Sequence, residues 1–387
     1  SFAEARKAAG NPTMTDALRR LQGRAILFSP LPGTCGSLHS GKAQKEDSHR
    51  GEKGMNNRER VIASLQHKQP DRAPYCIGFT QKAHRRMAEY TGKPDFQAGI
   101  DNCFHGISVG KGGREAGPDV WEDEFGVQWN KSVDKDIGVV CNCRVTPATL
   151  DAYEFPDPGE TIRYASLEQW QASGRRDRFV VVDIGFSLFE RAWTLAGMEN
   201  ILMGMVSDRG FVHELLDRIT AHNLELIARA CRYDIDAMMF GDDWGQQTGL
   251  LMGPALWREF IKPRIARMYG LVKSRGKYVV IHSCGKVDAV FPDLIEIGLN
   301  MFNPFQPEVM DVYEMKRVYG DKLSFYGGIS TQRTLPYGTP EDVRREVRRL
   351  IKEIGREGGY VAAPAHSIPG DAKPENIAAM LDALRDQ

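Results

Sequence analysis

His282 and Cys284 lie two positions apart in YVVIHSCG, at the end of an apolar run. Residues so spaced on an extended chain project to the same side, where an imidazole and a thiolate can share a borderline metal such as zinc. A third ligand is then needed, and His366 or one of Asp242 and Asp243 stands at a matching strand end. The packing alternative is a core histidine hydrogen-bonded to backbone beside an inert buried cysteine. Asp242 and Asp243 read as substrate anchors or ligands, or else as a helix N-cap for the segment after Trp244. Adjacent strand residues face opposite ways, so only one of the two aspartates is expected to reach a pocket. Gly327 and Gly328 would let a substrate approach the backbone or cradle an anion, with a tight turn as the alternative.

These residues need elements to hold them. From Met55 onward, short apolar runs alternate with amphipathic helical stretches, the pattern of βα units around a parallel sheet. Candidate strands are 73–79, 105–109, 179–184, 237–240, 278–281, 300–305, 323–326 and 360–363. Helix signals lie between them: Thr339 before Pro340 reads as an N-cap, with Val343, Val347, Leu350, Ile351 and Ile354 on one face. A second helix, over 209–232, presents Val212, Leu215, Leu216, Ile219, Leu226 and Ile227. Eight strands, with no Gly-rich dinucleotide fingerprint after the first, predict a single (β/α)8 TIM barrel rather than a doubly wound sheet. Active sites of such barrels sit at the C-terminal strand ends, where Gly241–Gly245, His282–Gly285, Gly327–Ser330 and Pro364–Ser367 converge. Residues 110–178, after the second strand, are polar, aromatic and far longer than an ordinary βα loop. A hairpin or lid carrying Trp121, Phe125 and Trp129 is expected there, or an insertion that only packs on the rim.

Composition bounds the rest. Among 387 residues, 51 Lys and Arg balance 51 Asp and Glu, and 42% of residues are hydrophobic. Such a balance offers no long-range basic field, which disfavours nucleic acid as a partner, and no apolar run is long enough to span a membrane. Seven cysteines in an odd, scattered set predict free thiols in a reducing cytoplasm rather than a disulfide framework. Residues 1–54 hold nine Lys and Arg against five Asp and Glu, leaving 42 and 46 for the remainder. This basic stretch reads as a largely disordered extension with at most one amphipathic turn over 15–26, and 55–387 as the barrel.

Several ordered motifs now carry a resemblance. NNRERVIASLQHKQPDRAP, GDDWG, IHSCGKV, NPFQPEVMD and GGYVAAPAHSIPGDAKPENI together resemble the uroporphyrinogen decarboxylase superfamily across residues 55–387. The resemblance implies a single (β/α)8 barrel and one of two activities: cofactor-free decarboxylation of uroporphyrinogen, or zinc-dependent methyl transfer with a corrinoid protein. The Arg-rich segment that decarboxylases carry after the first strand is replaced by IGFTQKAHRRM, with only Arg85 and Arg86. Their second-strand Asp corresponds to His105-Gly106. The methyltransferase pattern of His and Cys on the fifth strand is matched by His282 and Cys284, whereas its Cys after the eighth strand is replaced by His366, which resembles the decarboxylase histidine.

The methyltransferase branch is therefore expected, with zinc on His282, Cys284 and His366 and the cobalamin carried by a partner corrinoid protein. Asp242, Asp243 and His366 are the expected catalytic groups. Trp244, Gln306, Gly327 and Gly328 are expected at a small-molecule substrate, with Trp244 and the aromatic insertion suiting an apolar or aromatic one. A homodimer is left open. Two rivals stand beside this reading: a metal-free decarboxylase using His366 and an Asp as proton carriers, and a non-catalytic barrel that binds a ligand or corrinoid partner.

Overall fold

The computed structural model describes residues 54–387, so the readings made of 1–53 lie outside the described residues. Seven parallel strands form the central sheet in the order β1-β6-β7-β10-β11-β12-β13. They are β1 (Phe104–Ser108), β6 (Phe179–Ile184), β7 (Ala237–Gly241), β10 (Tyr278–His282), β11 (Met301–Phe305), β12 (Ser324–Ile329) and β13 (Tyr360–Pro364). The insertion contributes a separate antiparallel sheet of β2 (Gly113–Gly117), β3 (Val120–Asp123), β4 (Gln128–Asn130) and β5 (Val139–Val140). A small ribbon, β8 (Gly245–Gln246) with β9 (Gly249–Leu250), follows β7.

The expected first strand, 73–79, is a correction to the sequence reading. It forms no continuous ladder and closes the ring through two bridges, Tyr75 to Ala362 and Phe79 to Ile368. On the β13 side, Cys76 N–H donates to the Ala362 carbonyl at 3.1 Å, and Ala362 N–H to Pro74 at 2.8 Å. On the β1 side the Asn102 side chain substitutes for the ladder: its Oδ1 accepts from Ile77 N–H at 2.8 Å and its Nδ2 donates to the Ile77 carbonyl at 3.0 Å. Pro74 has no N–H to give, so regular pairing cannot start there. The eight-stave (β/α) barrel is thus closed, with one stave held by scattered bonds.

Alternation sorts the strand residues into two cores. Phe179 and Val181, Ala237 and Met239, Val280 and Met301 meet inside the barrel. Val180, Val182, Met238, Phe240, Val279 and Ile281 face the surrounding helices. The predicted helices lie in that outer layer. The helix Arg209–Ala230 buries all six of its expected apolar positions. The helix Pro340–Glu353 starts with a reciprocal cap, in which Thr339 Oγ1 accepts from Asp342 N–H at 3.2 Å and Asp342 Oδ2 from Thr339 N–H at 3.0 Å. Among the described residues no helix is long and apolar enough to cross a membrane.

Phe302 sits at the centre of the outer core, fully buried, with its ring 4.8 Å from that of Phe291. Phe302→Ala is expected to lower the unfolding free energy by about 3–5 kcal/mol in urea denaturation, the cost of a lost ring and the cavity it leaves.

Candidate metal centre

Inward alternation does not stop where the strands end. Val280 continues to His282 and Cys284, Met301 to Asn303, and Met239 to Gly241 and Asp243, so these side chains gather at one rim. The nitrogens of His282 and His366 and the sulfur of Cys284 offer three ligand atoms within 4.8 Å of one another. Cys284 Sγ lies 3.3 Å from His282 Nε2, and the two imidazole rings stand 5.5 Å apart and nearly perpendicular.

The orientation of His282 is set by a residue the sequence reading did not single out. His282 and Asn303 are partners in register on β10 and β11. Asn303 Nδ2 donates to the Tyr326 carbonyl at 2.9 Å, which turns its Oδ1 toward His282 Nδ1 at 2.5 Å. Nδ1 must therefore carry the proton, leaving the Nε2 lone pair facing Cys284 and the centre. Burial also pushes the imidazolium pKa down to about 4, so the ring is neutral and able to ligate at neutral pH. The only sequence signal for Asn303 was its position inside NPFQPEVMD. The pairing itself needs the strand register.

Two carboxyl groups complete the centre. Asp243 Oδ1 accepts from Cys284 N–H at 2.8 Å and lies 3.8 Å from His282 Nε2. Glu190, from the helix Phe189–Ala196, is buried and accepts from the Asp243 backbone N–H. Burial first, then the Asp243 and Asp242 charges, pushes the Glu190 carboxyl well above its usual range. Burial, reinforced by Asp243 and Glu190, likewise raises the Cys284 thiol. Asp243 thus opposes the ionisation of both Glu190 and the Cys284 thiol, an arrangement that a bound cation relieves. The donor set and this charge pattern fit a zinc ion.

Several expected site residues lie elsewhere. Asp242 faces outward, fully buried, and accepts from Leu188 N–H at 3.2 Å, Glu190 N–H at 2.8 Å and the Trp244 indole at 2.5 Å. It anchors the turn that delivers Glu190, in which Phe186 adopts φ +50°, a backbone conformation that surrounding bonds must hold. Trp244, expected at substrate, is fully buried with its ring 5.3 Å from Trp257; no face of it is left for a ligand. Gln306 is buried at the end of β11, where its carbonyl accepts from Val309 and Met310 N–H. Gly327 and Gly328 adopt φ +139° and +100°. A Cβ on Gly327 would lie 2.6 Å from Phe305 N, and one on Gly328 2.9 Å from the Tyr360 hydroxyl, so packing accounts for both glycines. Asp242→Ala, which strands three buried donors, is expected to cost on the order of 3 kcal/mol in chemical denaturation; unchanged stability would return Asp242 to the catalytic set.

Comparison with known proteins follows the same lines. A family model described as uroporphyrinogen decarboxylase (URO-D) matches residues 184–387. The chain is 32% identical over 138 residues to the methylcobamide:CoM methyltransferase MtaA of Methanosarcina barkeri, covering 35% of this chain and 38% of that protein. It is 25% identical over 266 residues to the uroporphyrinogen decarboxylase of Pseudomonas fluorescens, covering 62% and 68%. The match to the decarboxylase of Pseudoalteromonas translucida likewise spans only 58% of that relative's length. In fold the chain is similar to a methyltransferase from Methanosarcina mazei, with a TM-score of 0.65 at 17% identity over 86% of this chain and 99% of the other. The barrel, the histidine and cysteine ending its fifth stave and the span of the family match agree, and the chain belongs to the uroporphyrinogen decarboxylase family.

Proposed function

We propose that the protein is a zinc-dependent methyltransferase that moves a methyl group between a small methylated substrate or thiol and the cobalamin of a partner corrinoid protein. The observation that carries this reading is the His282 imidazole, fixed by Asn303 with its Nε2 lone pair toward Cys284 and His366. His282, Cys284 and His366 would hold the ion. Zinc, when bound, supplies Lewis acidity that activates the heteroatom giving or accepting the methyl group. Asp243 accepts a hydrogen bond from the Cys284 thiol and is thereby placed to take its proton. Burial and the neighbouring Asp243 and Asp242 charges hold the Glu190 carboxyl above its usual range in the same space. Trp121 and Trp129 of the insertion and Phe186 of the turn before Glu190 stand at the same mouth, where displacing water would strengthen the charge interactions inside it.

The metal-free decarboxylase reading needs free cationic groups for a substrate rich in carboxylates. Arg86 is already committed, donating to the Gly370 carbonyl at 2.6 Å and the Ala372 carbonyl at 3.0 Å, and Arg85 is exposed. That use of Arg86 weighs against decarboxylation. A barrel that only binds predicts ligand affinity without turnover.

Metal analysis tests the centre directly. Near-stoichiometric zinc is expected in the purified protein, with loss in both His282→Ala and Cys284→Ala; zinc absent from all three would sink the reading. Asn303→Leu is expected to weaken zinc binding by about 10–100-fold without touching a ligand, as measured by competition with a chelator. Spectral conversion between cob(I)alamin and methylcobalamin, screened over methylated phenols, amines and thiols, tests the transfer. Carbon dioxide release from a porphyrinogen after chelation would favour the decarboxylase instead.

A further inference from the structure

Beside the metal centre, the barrel mouth holds a chamber of about 550 Å3 between the tips of β1 and β6 and the insertion sheet. Trp121, Phe125 and Trp129 from the insertion and Phe186 from the turn after β6 stand in its wall. Size and aromatic lining are those of a small-molecule site. The chamber adjoins the centre through one short segment: Phe186 and Arg191 line it, while Glu190 between them bonds the Asp243 backbone.

Its two arginines are already matched. Arg163 pairs with Glu124, and Arg191 pairs with Asp123 at 2.9 Å while lying over the Phe125 ring at 3.9 Å. The Trp129 indole donates to the same Asp123 at 3.3 Å. Asp183 differs from all of these. It continues the inward series of Phe179 and Val181 by one step, in register with Ser108 of β1 and Met239 of β7. Its Oδ1 is buried at the chamber wall with no hydrogen-bond partner among the described residues. Burial alone pushes its carboxyl up to about 7, with no cation acting on it. An acceptor left unmatched in a buried wall is costly for folding, and a bound donor would offset that cost.

We propose that this chamber binds the body of the methyl-transfer substrate, an aromatic small molecule whose hydroxyl or amino group donates a hydrogen bond to Asp183. Calling the ligand the substrate rests on the methyltransferase reading, but its binding does not. Anionic ligands are disfavoured, since the lining carries the carboxylates of Asp123, Glu124, Asp136 and Asp183 against the cations of Lys131, Arg163 and Arg191.

Calorimetric titration of the zinc-stripped full chain tests this apart from any metal or corrinoid chemistry. The probes are 2-methoxyphenol, benzylamine, methoxybenzene and benzoate; the first two separate a neutral donor from a charged one. At least one donor probe is expected to bind about tenfold tighter than methoxybenzene, the worth of one hydrogen bond to the Asp183 carboxyl, with benzoate weakest. Asp183→Leu is expected to erase the preference for a donor while raising the melting temperature, because an unmatched carboxyl is removed. Asp183→Asn, which keeps the shape, is expected to reduce the preference. Binding of no probe, equal binding of donor and donor-free rings, an unchanged preference in either variant, or a lowered melting temperature in Asp183→Leu would each overturn the proposal. If the binding pattern holds but zinc is absent or no methyl transfer occurs, the functional reading fails and the chamber stands.

Discussion

Side-chain alternation along closed parallel strands is the constraint on which this molecule depends. Once the sheet curls into a ring, every second residue must fill the barrel, and the first residues beyond the filled layers have nowhere to point but the mouth. The aliphatic and aromatic side chains of Phe179, Val181, Met239, Val280 and Met301 occupy the interior. One step further along the same series stand Asp183, His282 and Asn303, and two steps beyond Met239 stands Asp243. The apolar layers hold the strands in register, and register brings Asn303 beside His282. Core packing and site geometry are therefore two consequences of one periodicity.

The neighbouring residues of opposite parity do different work. Asp242 and Asp243 are adjacent in sequence yet act on opposite sides of the sheet. Asp243 reaches the cluster of His282 and Cys284, whereas Asp242 collects the N–H groups of Leu188 and Glu190 and the Trp244 indole. Through that turn Asp242 sets the position of Glu190, so a residue outside the mouth shapes the charge inside it. The centre gathers two acids and a thiol, and the Asp243 charge raises the cost of ionising both Glu190 and Cys284. Such concentration is unfavourable for an empty protein and suited to holding a cation.

The barrel was legible because its strands are short apolar runs bounded by turn residues and its helices carry caps and faces. Seven of the eight expected strands are continuous, and the caps and faces of Pro340–Glu353 and Arg209–Ala230 lie where the pattern put them. The remaining stave, 73–79, reads as a strand by composition but begins at Pro74 and borrows the Asn102 side chain for pairing. Composition does not reveal whether a backbone partner lies in register. The insertion was legible as an addition by its length and polarity, but its four-stranded antiparallel sheet was not.

Within the site, spacing alone was enough to bring forward His282 and Cys284, because a two-residue step along a strand has a known geometry, whereas His366 stood beside Asp242 and Asp243 as a candidate by its place at a strand end. Trp244, Gly327 and Gly328 were drawn toward a substrate by their type and location, and packing claimed them instead. Asn303, Glu190 and Asp183 carried no local signal, since each matters through a partner or a vacancy more than 20 positions away in sequence or on another element. The sequence by itself determined the periodicity, and with it the barrel, the rim and the pairing of His282 with Cys284 on one side of a strand end. The tertiary structure decided which residues of that rim face one another, because ring closure and strand register depend on contacts that no local spacing encodes.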